Sequence, residues 1–230
     1  MLLIGKTSNG KRLGQLRSTT AIAIALSFAS LPAIAQNLPG GTATINSGFI
    51  ANQPTVDTNQ TVTQTDITSG TLTVAATLTS PVTLSGSGNM TINVGGQVVG
   101  NVGHGSTGTT NNNGTITGTL SVSSGTVNNA GVVTGTTTVT GGTLNLDAGT
   151  NPSDANTLTV NGGTVNVNAS DTVGALAGTG GTVDIDAGQA LTIGGATSTS
   201  YGGVISGAGG LTQAGTGTLT LTAVNTITGP

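Results

Sequence analysis

Apolar and polar residues alternate strictly in a seven-residue unit, Gly-Thr-apolar-polar-apolar-polar-Ala. It occurs as GTLNLDA from Gly142, GTVNVNA from Gly163, GTVDIDA from Gly181 and GTLTLTA from Gly217, with a fainter copy, GTLTVAA, from Gly70. A period of two belongs to a strand with one buried face, so Leu144 and Leu146, Val165 and Val167, Val183 and Ile185, and Leu219 and Leu221 are expected to point into one core. Glycine opens each copy because a tight corner needs positive φ, and threonine with the β-branched residues suits the pleated arm that follows. The copies start 21, 18 and 36 residues apart, the last twice 18, which describes a chain that keeps returning to the same face. A period near 20 is too short for a helix-hairpin repeat or a propeller blade, and the pattern predicts a solenoid of stacked β rungs.

The alternation organises most of the chain. From Gly70, Leu72, Val74, Leu78, Val82 and Leu84 are expected inside, and Met90 to Val94 continue the pattern until Gly95-Gly96. Gly103 to Asn113 reads as a polar, glycine-rich excursion, after which Ile116, Leu120, Val122, Val127, Val132, Val133 and Val139 resume the core. Asp147 to Asn156, with Pro152 inside, reads as a longer loop between rungs. Residues 36–69 are weakly patterned, with strand character only from Thr61 to Ile67, and are expected to form an irregular N-terminal cap over the first rung edge. At about 20 residues and about 4.8 Å per rung, the chain after residue 35 makes about nine rungs and a rod roughly 45 Å long.

Composition adds export and removes several function classes. All four basic residues, Lys6, Lys11, Arg12 and Arg17, precede the apolar run Ala21–Ala29, and Leu31-Pro32-Ala33-Ile34-Ala35 offers an A-x-A cleavage site. Residues 1–35 are therefore predicted to be a signal peptide read by the Sec export machinery, cut between Ala35 and Gln36. The apolar run is too short to span a bilayer comfortably. Beyond it the ionisable side chains are seven aspartates, His104 and Tyr201, with no lysine, arginine, glutamate or cysteine. Phosphate backbones and anionic membrane surfaces need basic partners, so nucleic-acid binding is excluded. Export brings no disulfide framework, and only Phe49 and Tyr201 supply aromatic rings to the exported part. A narrow solenoid tolerates this, because each rung covers the next with aliphatic side chains and completes its backbone hydrogen bonds along the axis.

The segment from Gly203 to Gly229, GVISGAGGLTQAGTGTLTLTAVNTITG, carries a recognisable repeat. Gly207, Gly209, Leu211, Gly215, Gly217, Thr218, Leu219, Leu221, Asn225 and Gly229 fall in the frame of the repeat found in passenger domains of Gram-negative autotransporters, which this stretch resembles. It departs at Gln213, where that family usually has lysine, at Ala223, where glycine is frequent, and at Ile227, where tyrosine is usual. The resemblance implies a right-handed parallel β-helix occupying 70–230, displayed at the cell surface after export through a C-terminal outer-membrane barrel. Such a barrel needs several strands of about 10 residues with aromatic girdles, a pattern this sequence lacks. The expectation is an N-terminal part of a longer autotransporter, which alone stays in the periplasm.

Candidate chemistry is sparse. Asp184 and Asp186 form an Asp-x-Asp pair on one strand, and Asp147 occupies the repeat position of Asp186. Such carboxylates can serve acid/base work or calcium. Their equivalents elsewhere are Asn145, Asn166, Asn168, Thr220 and Thr222, which favours solvated outward positions. His104, between Gly103 and Gly105, is expected in a loop without a partner. The outward faces carry Thr-x-Thr pairs (Thr71 and Thr73, Thr115 and Thr117, Thr157 and Thr159, Thr218 and Thr220) of the kind that some ice-binding solenoids use. Here they interrupt one another irregularly along the sequence and alternate with Asn and Asp. The resulting expectation is a non-catalytic stalk or adhesin-like passenger with no cofactor or metal; a two-partner-secreted exoprotein, a β-helix enzyme acting on polysaccharide and an ice-binding solenoid are the alternatives.

Overall fold

A computed structural model describes residues 42–45, 55–56, 60–61, 64–147 and 155–229. The signal peptide and the cleavage residues Ala33, Ala35 and Gln36 lie outside them, as does most of the expected loop from Asp147 to Asn156. The described residues form 27 strands of two to four residues and no helix. Every strand pairing among them is parallel, and each joins residues about one coil apart in sequence. One coil shows the plan: Gln64–Ile67, Thr71–Val74 and Thr77–Thr79 lie on three successive faces, and Val82–Leu84 then returns to the first.

Stacked coils build an eight-stranded sheet on the first face and a nine-stranded sheet on the second, the latter running from Thr55–Val56 to Val204–Gly207. Nine strands give eight turns between the first and the last, so the chain is a parallel β-solenoid of the length the sequence predicts. The third position is filled by a five-stranded sheet ending at Val132–Val133 and, beyond residues 148–154, by a three-stranded sheet from Asp171–Val173 to Gly210–Gln213.

Local chemistry explains the corner before the second face. Gly142, Gly163 and Gly181 have φ of 68°, 68° and 77°, and a Cβ on Gly163 would sit 2.5 Å from the Gly142 carbonyl oxygen of the coil beneath. Glycine is needed both for the conformation and for the close approach. The strand that follows alternates half-buried and buried residues in all three copies. Leu144, Val165 and Val183 stack directly on one another, as do Leu146, Val167 and Ile185, all 0% exposed. Each such aliphatic contributes roughly 1.5–3 kcal/mol by leaving water. The core is one continuous column from Ile67 to Ile205.

Four expectations need correction. The solenoid does not wait for Gly70: Gln64–Ile67 is already a first-face strand with Ile67 fully buried, and Thr42–Ile45, Thr55–Val56 and Gln60–Thr61 pair in register with later coils. The pattern looked weak because one inward position is Thr65, which buries its hydroxyl by bonding Ser80 Oγ at 3.0 Å. The polar run from Gly103 to Asn113 is a regular coil rather than an excursion, with strands at Val102–His104 and Thr109–Asn112. Val94 is 87% exposed because its strand stops at Ile92 and the chain turns through Asn93 to Gly96.

Finally, the copy at Gly217 is not equivalent to the others. Leu219–Leu221 pairs with Thr199–Tyr201, which takes over from the first face, whereas Val183 pairs with Ile205 on the second. The interval of 36 residues is therefore not two turns returning to one face. Leu219 is only partly buried against the core and Leu221 is 39% exposed.

The assignment of faces predicts an asymmetric pair of variants. Val183→Asp places an unpaired charge between dry coils and should lower stability by about 3–5 kcal/mol. Thr182→Asp, one residue away and outward, should lower it by less than about 1 kcal/mol. Urea unfolding followed by circular dichroism measures both, and equal losses would show that the faces are misassigned.

Candidate functional surface

The aspartates do not converge. Asp184 projects outward from the second face and its Oδ1 accepts a hydrogen bond from Ser206 Oγ of the next coil at 2.6 Å. Asp147 is exposed and accepts from Asn168 Nδ2 at 2.7 Å, and Asp186 is exposed. Among the described residues there is no group of three or more His, Cys, Asp or Glu side chains that could hold a metal. Asp184 and Asp147 act as members of outward ladders.

An ordered polar array covers the outward side of the nine-stranded face. Register aligns Thr109, Thr126, Thr143, Thr164 and Thr182 in one column, one threonine per coil. Two residues along each strand, a second column runs Asn111, Asn128, Asn145, Asn166, Asp184 and Ser206. Its asparagines are linked in one direction: Asn128 Nδ2 donates to Asn111 Oδ1 at 2.8 Å, Asn145 to Asn128 at 2.7 Å and Asn166 to Asn145 at 2.8 Å. Asp184 has no N–H to continue the series and receives the Ser206 hydroxyl instead. The Thr-x-Thr pairs noted in the sequence do not build this surface together: Thr71 and Thr73 lie on the second face, Thr115 on the third, Thr157 and Thr159 on the first, and Thr220 on the two-stranded sheet. The array is visible only once register is known, because coil lengths vary.

The repeat from Gly203 to Gly229 is one full coil. Val204–Gly207 lies on the second face, Gly210–Gln213 on the third and Leu219–Leu221 beyond it. The chain then returns to the second face, where Thr226 and Thr228 N–H donate to the Ile205 and Gly207 carbonyls at 2.9 and 3.0 Å. A Cβ at Gly207, Gly209, Gly215, Gly217 or Gly229 would overlap the backbone of the coil below. Leu211 packs against the core, and Thr218 donates its N–H to Ser198 Oγ at 3.1 Å. Asn225 Oδ1 accepts the Ile205 N–H at 2.7 Å, tying this coil to its predecessor. Gln213 reaches the Gly215 and Gly217 carbonyls at 3.3 and 3.0 Å, and Ile227 still packs against the core.

Sequence reasoning missed a polar patch inside the rod. His104, Ser106, Thr110 and Asn112 are all fully buried. His104 stacks between Leu84 and Val122, and its Nδ1 pairs with Thr110 Oγ1 at 3.1 Å, while its Nε2 makes no hydrogen bond. Asn112 Nδ2 donates to Asn129 Oδ1 at 2.6 Å in the next coil. Counting alternation by position alone, from Val102 through Asn112, would have placed them inside. Near the far end, Tyr201 is buried with its hydroxyl unbonded, packed where Gly203 lacks a Cβ, and burial raises its pKa to about 12.

Desolvation lowers the His104 pKa below 6.5, with the Gly108 backbone opposing more weakly. The folded chain therefore holds a neutral ring where the unfolded chain, below about pH 6.5, binds a proton. Stability from this site is complete above that pH and falls as pH drops through the window beneath it. His104 is the only histidine, so urea midpoints should fall between pH 7.5 and 5.5 in the wild type and barely move in His104→Gln. Identical pH slopes in the two proteins would refute the assignment.

In comparisons with known proteins, the chain matches no family model, no curated protein and no solved structure.

Proposed function

We propose that this protein is an exported, non-catalytic passenger of a Gram-negative autotransporter, a rod that presents a surface outside the cell. The observation that carries the reading is the segment from Gly203 to Gly229. Its glycines are the positions where a side chain would strike the coil below, its leucine at 211 packs inward, and its asparagine at 225 clamps successive coils. The positions of the repeat frame thus coincide with positions that coil stacking constrains, which supports the reading. The basic N-terminus with its A-x-A site supports export, and dispersed aspartates with no basic residue beyond Arg17 favour display over catalysis. The partners implied are the Sec machinery and an outer-membrane barrel.

Joined to an autotransporter barrel and expressed in a Gram-negative host, the chain should become digestible by protease added to intact cells, and the exported form should begin at Gln36. A product that keeps Lys11, or that stays protected while the barrel is inserted, would contradict this function.

A further inference from the structure

The outward side of the nine-stranded face is uniform in its chemistry and in register from coil to coil. Five threonines and four hydrogen-bonded asparagines repeat once per coil, and no ionisable side chain enters either column between Thr71 and Asn166. Repeats of about 4.8 Å along the axis and about 6.6 Å across it follow from strand geometry. Within the asparagine column Asn128 and Asn145 each spend one N–H on the coil before and one lone pair on the coil after, which leaves each of them one donor and one acceptor facing out. The hydroxyls of Thr126, Thr143, Thr164 and Thr182 make no hydrogen bond within the described residues. Each threonine sets a methyl beside its hydroxyl, and all these side chains are half-buried by their neighbours, so their order costs little on binding.

We propose that this face binds ice. A neutral surface offering donors, acceptors and methyl groups at a fixed two-dimensional spacing complements a neutral, periodic, hydrogen-bonding solid, and the two repeats are of the order of those on ice faces. Charge complementarity discriminates against other occupants: a phosphate- or sulfate-bearing polymer needs cations, and this chain has none beyond Arg17. Sugar and protein partners draw on aromatic and arginine anchors, and neither column contains one. Asp184 marks the end of the uncharged stretch.

The inference is independent of how the rod is delivered: an exported protein inert toward ice overturns it alone. The test uses the exported chain in dilute buffer, observing single-crystal shaping and recrystallisation inhibition, with Thr143→Tyr in the column and Thr138→Tyr outward on the first face as control. Both variants should keep the wild-type circular dichroism and melting temperature. The wild type and Thr138→Tyr should shape ice and block recrystallisation, and Thr143→Tyr should lose both. Wild-type protein without effect on ice, equal loss in the two variants, or retention on cellulose or chitin that Thr143→Tyr abolishes would overturn the proposal.

Discussion

Everything in this molecule depends on the parallel backbone ladder between coils. A strand of two to four residues has too few hydrogen bonds to stand alone; here every strand inside a sheet is held by the coil before and the coil after, as in Thr164 N–H to Gly142 C=O at 2.9 Å and Thr182 N–H to Gly163 C=O at 3.0 Å. The ladder requires that each coil return over the last within hydrogen-bonding distance. Glycine is then demanded wherever the corner closes onto the coil below, and small or β-branched residues wherever the arm is straight. Few aromatics are needed, since the interior is only as wide as facing aliphatic side chains, and Tyr201 fits because Gly203 yields space.

What the sequence revealed and what it hid both follow from this constraint. The three copies at Gly142, Gly163 and Gly181 are legible because their inward positions are apolar and their coils differ little in length, so periodicity in sequence equals periodicity in space. The coil at His104 is hidden because its inward positions are polar: the ladder kept its register while His104, Thr110 and Asn112 satisfied one another or the next coil. The copy at Gly217 misleads for the opposite reason. Its alternation is intact, but the preceding coil has changed length, so the same motif arrives on a different sheet. Hydrophobic pattern reports which way a side chain points; it does not report which face the strand joins.

The same distinction governs the surface. Thr-x-Thr pairs are conspicuous in sequence and are scattered over several faces, whereas the continuous threonine and asparagine columns come from strands whose sequences differ. None of the candidate aspartates assembles with others, and Asp184 is explained by its place at the end of an amide ladder that it cannot extend. Polar residues thus serve the solenoid inside and out, by saturating one another between coils. The His104 Nε2 and the Tyr201 hydroxyl are among the buried polar atoms where saturation is incomplete, as are Ser69 Oγ and Thr137 Oγ1.

Because the chain has no cysteine, the coil stacking can be measured directly with pairs of spin labels on the threonine column. Labels at positions 71 and 182 are six coils apart by register, and pulsed dipolar spectroscopy should give a narrow distribution centred at about 29 Å; moving the second label to 164 should shorten it by about 4.8 Å. Broad distributions, or a distance that fails to change by one coil spacing, would contradict the stacked-coil structure.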